Sequence, residues 1–209
     1  MSTISRLYDD YDTAALAVAD LERAGVPHSD ISIVASNAEG WYDRDGTSRR
    51  VDHDRDHDGV DDRVEGARTG AGIGAALGGT AGLLAGLGLL AIPGLGPVVA
   101  AGWLASMAAV AVAGGATGGI IGALTQTGVS EDDAHVYAEG VRRGGTLVTA
   151  KIPDADRARF EAILDRSAVD IRNRASMWEK SGWTRFDANA PHYTAEEIRR
   201  ERELYRNRV

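Results

Sequence analysis

The chain of 209 residues contains no cysteine. Disulfides, thiolate zinc sites and cysteine nucleophiles are therefore excluded. Positive charge is in deficit: 23 Lys and Arg against 31 Asp and Glu give a formal net charge of -8. That sign disfavours general binding to phosphate backbones, so nucleic acid is not an expected partner. The 26 glycines do not make a phosphate loop, because no Gly-Lys-Ser or Gly-Lys-Thr follows any of them. Met1 to Asp10 lacks the basic start and apolar core of a signal peptide, which makes synthesis and residence on the cytoplasmic side the expectation. Enzymatic signatures are also scarce. His135 has Glu131 and Glu139 one turn away on either side, a spacing ordinary on helix surfaces and seldom an acid-base device. No catalytic residue, small-molecule substrate or organic cofactor is assigned, and the expectation is that the protein is not an enzyme.

What the sequence does have is a run from Gly66 to Gly128 whose single charge is Arg68. Gly70, Gly74, Gly78, Gly82 and Gly86 recur every fourth residue, and Gly114, Gly118 and Gly122 resume the pattern. On a helix this spacing lines glycines along one face, where a second backbone can approach closely. Ala91-Ile92-Pro93-Gly94-Leu95-Gly96-Pro97 interrupts the run with residues that a helix interior rejects. The pattern predicts a helical hairpin with arms Thr69 to Leu90 and Val98 to Leu124, each long enough to cross a bilayer core at about 1.5 Å per residue. Glycine costs about 0.8 to 1 kcal/mol each relative to Ala in a helix, so such arms need surroundings other than water. Lipid and protein are the two candidates. Trp103 stands about where an interfacial aromatic would sit, and Arg63, Arg68, Arg142 and Arg143 flank the arms outside an uncharged turn. That distribution fits an inner-membrane hairpin with both termini cytoplasmic, membrane lipid as a partner and glycine-mediated self-association. The alternatives are a cytoplasmic oligomer with the hairpins packed together and, on fold analogy alone, a ligand-binding regulatory domain.

The flanks read as α+β. Thr3 to Tyr8 is a predicted strand, Asp10 or Asp12 caps a helix through Leu16, Val18, Leu21 and Ala24, and Gly25 stops it. Ile31 to Ala35 follows as a strand. Beyond the apolar run, Ser130 and Asp133 suit a capping box opening a helix that ends at Gly144-Gly145. Thr146 to Ile152 is apolar enough to be a central strand. A helix from Asp154 burying Phe160, Ile163 and Leu164 and a last strand Val169 to Ile171 complete a second βαβ unit. Two such units predict a ferredoxin-like split-βαβ sheet of four antiparallel strands with helices on one face, interrupted by the hairpin. The expected organisation is 1–36 and 129–174 as the two halves, 37–65 as an acidic linker, 66–128 as the hairpin, and 175–209 as a polar arm ending in a charged helix from Thr194 to Arg206.

Ser130-Glu131-Asp132-Asp133-Ala134-His135-Val136-Tyr137-Ala138-Glu139-Gly140-Val141-Arg142-Arg143-Gly144-Gly145 resembles the second half of heat-induced general stress proteins of the YflT-like type. The opening βαβ and the Gly-rich middle fit as well, so the resemblance reaches to about Arg174. It implies a bacterial stress-response protein without established enzymatic activity, and it assigns no catalytic residues.

The sharpest motif is Asp54-Arg55-Asp56-His57-Asp58-Gly59-Val60-Asp61-Asp62-Arg63-Val64-Glu65, which matches the D-x-D-x-D-G-x5-E calcium loop. Ca²⁺ takes six to eight hard oxygens. Asp54, Asp56, Asp58, the Val60 carbonyl, Asp62 and bidentate Glu65 would supply them, with Gly59 at the sharp turn. The oxygen-rich set favours a hard cation over a transition metal despite His53 and His57. Glu65 would couple the loop to the helix beginning beyond it, since a carboxylate suits a helix N-terminus. A single unpaired loop predicts weak binding, roughly 10⁻⁴ to 10⁻³ M. Calorimetry with magnesium present is expected to show calcium heat in the wild type at millimolar concentration and none in Glu65→Gln; no heat in the wild type abandons the site.

Overall fold

The computed structural model describes residues 1–42, 87–113 and 119–206. They build one five-stranded antiparallel sheet with helices on both faces. The strands are β1 (Ser2–Tyr8), β2 (Ile31–Ser36), β3 (Gly88–Ile92), β4 (Gly96–Gly102) and β5 (Thr146–Ile152), in the spatial order β1-β5-β2-β4-β3. The helices are α1 (Tyr11–Arg23), α2 (Trp103–Ala113), α3 (Gly119–Thr125), α4 (Glu131–Arg142), α5 (Arg157–Leu164), α6 (Ile171–Lys180) and α7 (Ala195–Arg206).

The first expected unit forms as read. Asp10 caps α1 by accepting the Thr13 N–H at 2.7 Å, and Gly25 ends it at φ +102°. Strands β1 and β2 each pair antiparallel with β5, so they run parallel to one another with β5 between them. This is the split form of a βαβ unit. The central strand is the one the composition selects: β5 is buried at every position except Lys151.

Several expectations change. Gly88 to Leu90 and Val98 to Gly102 are not helical arms but strands, and Pro93-Gly94-Leu95 is the turn of a β-hairpin. That hairpin is no insertion between two halves, because Val98 to Gly102 pairs with Ser36 to Ser32 and extends the sheet. Residues 103–113 and 119–125 of the expected second arm are helical, as α2 and α3. Leu104, Ala105, Ala108, Ile120, Ala123 and Leu124 are buried against Val34, Val98, Leu147, Tyr137 and Val141 of the same domain. Among the described residues no helix is long and apolar enough to cross a membrane. Val169 to Ile171 is likewise not a strand. The Val169 N–H donates to the Leu7 carbonyl at 2.8 Å, and Asp170 then caps α6 by accepting from Arg172 and Asn173 at 3.0 and 3.1 Å. A helix start thus outcompetes a second ladder bond. Finally, helices cover both faces, not one. Helices α1 and α5 lie on one side over Ile4, Ile31, Ile33, Val148 and Ile152, while α2, α3 and α4 lie on the other. Leu16, expected on the apolar face of α1, points to solvent at 68% exposure.

Two tyrosines fix β1 between these layers. The Tyr8 hydroxyl donates to the Leu164 carbonyl at 3.0 Å on one side, and the Tyr137 hydroxyl donates to the Ser5 carbonyl at 2.7 Å on the other. Burial holds both phenols above their ordinary range, Tyr137 to about 12.

The β4 to α2 junction depends on Gly102, at φ +87°. A Cβ built there would lie 2.3 Å from the Ile31 carbonyl oxygen and 2.8 Å from Ser32 Cα. Both obstacles are backbone of a paired strand and cannot move aside cheaply. Gly102→Ala is expected to lower unfolding free energy by about 2 kcal/mol or more, from left-handed strain plus the clash. Chemical denaturation checks this, and an unchanged midpoint contradicts the assigned junction.

Candidate functional site

The Glu139-Gly140-Val141-Arg142-Arg143-Gly144-Gly145 segment closes α4 and enters β5, and most of the unusual chemistry of the described residues gathers there. Its glycines are there because the chain is crowded. A Cβ on Gly140 would meet Leu7 Cδ2 at 2.4 Å, one on Gly144 (φ +96°) Ile198 Cγ2 at 2.3 Å, and one on Gly145 the Gly140 carbonyl oxygen at 2.9 Å. With α4 pressed this close to β1, the Glu139 side chain has no exposure. A carboxylate taken wholly out of water requires cationic partners. It finds them one turn on: Arg142 Nη2 and Arg143 Nε donate to Glu139 Oε1 at 3.1 and 2.6 Å.

From there the network leaves the helix. Arg143 Nη1 donates to Glu201 Oε1 of α7 at 2.8 Å, and its guanidinium stacks over the Trp178 and Tyr193 rings at 4.9 and 5.2 Å. Burial works against the Arg143 charge, but Glu139 and then Glu201 outweigh it and hold the group above its ordinary value. Trp178 Nε1 donates to the Tyr205 hydroxyl at 2.9 Å, and that hydroxyl donates to Glu201 Oε2. Burial and the Glu201 bond push Tyr205 up to about 12. Arg174 lies 3.5 Å from the Tyr205 ring centre and donates to Asp9 Oδ1 at 2.8 Å. Arg202 completes the set, donating to Glu39 Oε2 at 2.5 Å and to the Gly144 carbonyl at 3.0 Å. The remaining cleft, of about 10 Å³ between Asp9, Arg143, Arg174, Trp178, Arg202 and Tyr205, has room for about one water.

These contacts bind residues 183–206 over the domain as a strap. Phe186 and Ala188 sit against Gly94, and His192 against Gly96, so the β3–β4 turn lies under the strap. Thr194 and Glu197 form the capping box of α7, with the Thr194 N–H to Glu197 Oε2 at 2.8 Å and the Glu197 N–H to Thr194 Oγ1 at 3.3 Å. Arg185 reaches back to α4, 2.7 Å from His135 Nε2 and 3.3 Å from Glu131 Oε1. Burial first, and the Arg185 charge second, lower the His135 pKa.

The residues singled out from sequence are distributed differently. Asp54, Asp56, Asp58, Val60, Asp62 and Glu65 of the calcium loop, and Gly70, Gly74, Gly78, Gly82, Gly86, Gly114 and Gly118 of the glycine faces, lie outside the described residues. Gly122 is described. It sits half-buried in α3, and a Cβ there would meet nothing within 4 Å, so no backbone of the described domain uses it as a contact face. Among the described residues no three acidic or histidine side chains group to hold a metal ion. His135 and Glu139 do not share a site, for Glu139 belongs to the arginines and His135 to Arg185. No motif in the sequence singles out the hub residues Trp178, Tyr193, Glu201, Arg202 and Tyr205. Ile198, Glu201 and Tyr205, at i, i+3 and i+7, mark one face of α7 and were the available signal.

Glu139→Ala would leave two guanidiniums next to an apolar hole and is expected to cost about 3 to 5 kcal/mol, read by denaturation. A loss below about 1 kcal/mol, the size of a surface pair, contradicts the buried network. His135 gives a pH dependence. Its folded pKa lies below the unfolded value near 6.5, so the unfolded chain takes the proton first as pH falls. The stability present above about pH 6.5 therefore declines below it until the folded pKa is passed. The difference between wild type and His135→Gln isolates this decline, and parallel pH profiles contradict it. Comparison of the chain with protein-family models, with curated proteins and with solved structures finds no match.

Proposed function

We propose that this is a non-enzymatic bacterial stress-response protein that acts by self-association through its Gly-rich segment and responds to calcium. One observation carries the choice of assembly over membrane spanning: Val98 to Leu124, the expected second membrane arm, contributes a strand and two helices to the domain's own sheet and core. A two-armed membrane hairpin needs both arms free to face lipid. Residues that pair in the sheet and pack in its core are not free to face lipid, which supports the assembly reading. The remaining Gly-rich repeat, Gly70 to Gly86, joins the sheet through Leu87 at β3, the edge strand. Glycines at fourfold spacing on a helix let a second backbone approach closely, which supports contact between copies.

The stress assignment rests on the resemblance carried by Ser130 to Gly145, and the calcium assignment on Asp54 to Glu65. Together they describe a domain that presents an association segment, with the loop just ahead of that segment in sequence able to change its charge. Five carboxylates, Asp54, Asp56, Asp58, Asp62 and Glu65, repel one another when no cation is bound. Loading the loop would ease assembly.

Light scattering of the purified full chain in detergent-free buffer tests this reading. The expected result is an oligomer whose mass rises with millimolar calcium and falls in Gly78→Leu, because a bulky side chain at the contact prevents close approach. A monomer at all concentrations and calcium levels contradicts assembly. Recovery only with detergent restores the membrane version.

A further inference from the structure

His135 and Arg185 make a contact that only one charge state of the imidazole permits. Arg185 Nη2 lies 2.7 Å from His135 Nε2. A guanidinium donates from every nitrogen, so Nε2 must accept, which makes the imidazole neutral with its proton on Nδ1. Protonation turns Nε2 into a second donor and sets two cations face to face at that distance. One of them then has to leave. The His135 side chain is 11% exposed on α4, which Ala134, Tyr137, Ala138 and Val141 fix in the core. The Arg185 side chain is 64% exposed, so it is the one that moves. Glu131 neighbours both, 3.7 Å from His135 Nε2 and 3.3 Å from Arg185 Nη2. Burial first and Arg185 second act against a charged imidazole, while Glu131 and then Asp132 favour it. No other charged side chain among the described residues touches the ring. Arg6 of β1 pairs with Asp165, Glu139 with Arg142 and Arg143, and Arg174 of α6 with Asp9, while Lys151 of β5 stacks on Trp103. Strand β2 and helix α3 carry no charge.

We propose that His135 is an acid-operated latch for the stretch Arg185 to Ala188: neutral, it holds Arg185 on α4, and protonated, it takes Glu131 for itself and turns Arg185 out to water. What the latch covers is the β3–β4 turn. A Cβ built on Gly94 would lie 2.7 Å from Ala188 Cα and 2.8 Å from Phe186 Cζ, so the stretch sits directly on that turn. Once Arg185 is released, Phe186 is the one fully buried side chain left to hold it there. The helix that follows stays seated, because Glu201, Arg202 and Tyr205 bind Arg143, Glu39 and Trp178, none of which touches His135. Acid therefore loosens the cover of the turn and leaves the rest of the domain closed. This response is local, and it stands apart from the self-association and calcium readings.

Nuclear magnetic resonance of the full chain tests the latch. Long-range proton–nitrogen correlations should find the His135 proton on Nδ1 at neutral pH. Arg185→Gln should raise the His135 pKa and Glu131→Gln should lower it, because each variant removes one charge acting on the imidazole. Backbone order parameters at Arg185 to Ala188 should fall from about 0.85 to below about 0.6 as wild type is titrated downward through the His135 pKa. They should stay high at the same pH in His135→Gln, whose amide oxygen accepts from Arg185 and does not titrate. That variant separates local release from general acid unfolding. A proton on Nε2 at neutral pH, or a His135 pKa unmoved by Arg185→Gln, overturns the latch. So does order at Arg185 to Ala188 that survives the titration, or that is lost equally in His135→Gln.

Discussion

Burial of the sheet on both faces is the constraint from which the rest follows. Helices α1 and α5 close one side and α2, α3 and α4 the other. An interior strand then has no wet face, and β2 is buried at all six positions. Strands in that setting lose the alternation that marks half-exposed ones and read as continuous apolar runs. Small residues in β4, Val98-Val99-Ala100-Ala101, let α2 turn back directly from Gly102 and pack on the sheet that β4 has just joined. The same closeness at α4 expels water from Glu139, and the arginines, the aromatics and the strap follow from that one buried charge.

This constraint also explains which parts were legible in the sequence. Caps and stops were read correctly at Asp10, Gly25, Ser130 and Gly144 because each acts within a few residues. Strand β5 was recognised from its β-branched apolar run. Strands β3 and β4 were not, since an apolar run without alternation fits a buried strand and a buried helix equally, and fourfold glycine spacing on either side favoured helix. The expected break, Ala91 to Pro97, contains the turn Pro93-Gly94-Leu95, but the elements it joins are strands and not helices. Val169 to Ile171 alternates like a strand, yet the single bond to Leu7 and the Asp170 cap leave it no ladder.

The site was legible only in its local half. Glu139 to Gly145 stood out as a helix end with two arginines, and the helix dipole was reason enough for them. Nothing periodic announces that Arg143 meets Glu201, 58 residues on, or that Arg174 meets Asp9, 165 residues back. Such contacts exist because the sheet brings α4 and β1 together and the strap lies across their ends. The C-terminal helix itself was read as a charged arm, and its charges turn out to be the means of attachment.

The central claim is that Val98 to Gly102 and Ile120 to Leu124, in the second half of the Gly-rich run, are sheet and core of the domain. Amide hydrogen exchange on the full chain in detergent-free buffer tests it most directly. Val98 to Gly102, bonded to β2, and Ile120 to Leu124, in the core, should exchange only through global opening, as slowly as Leu147 and Val148 of β5. Exchange of Val98 to Leu124 within seconds in water, with protection gained only in detergent or lipid, would contradict the account and return this segment to the membrane.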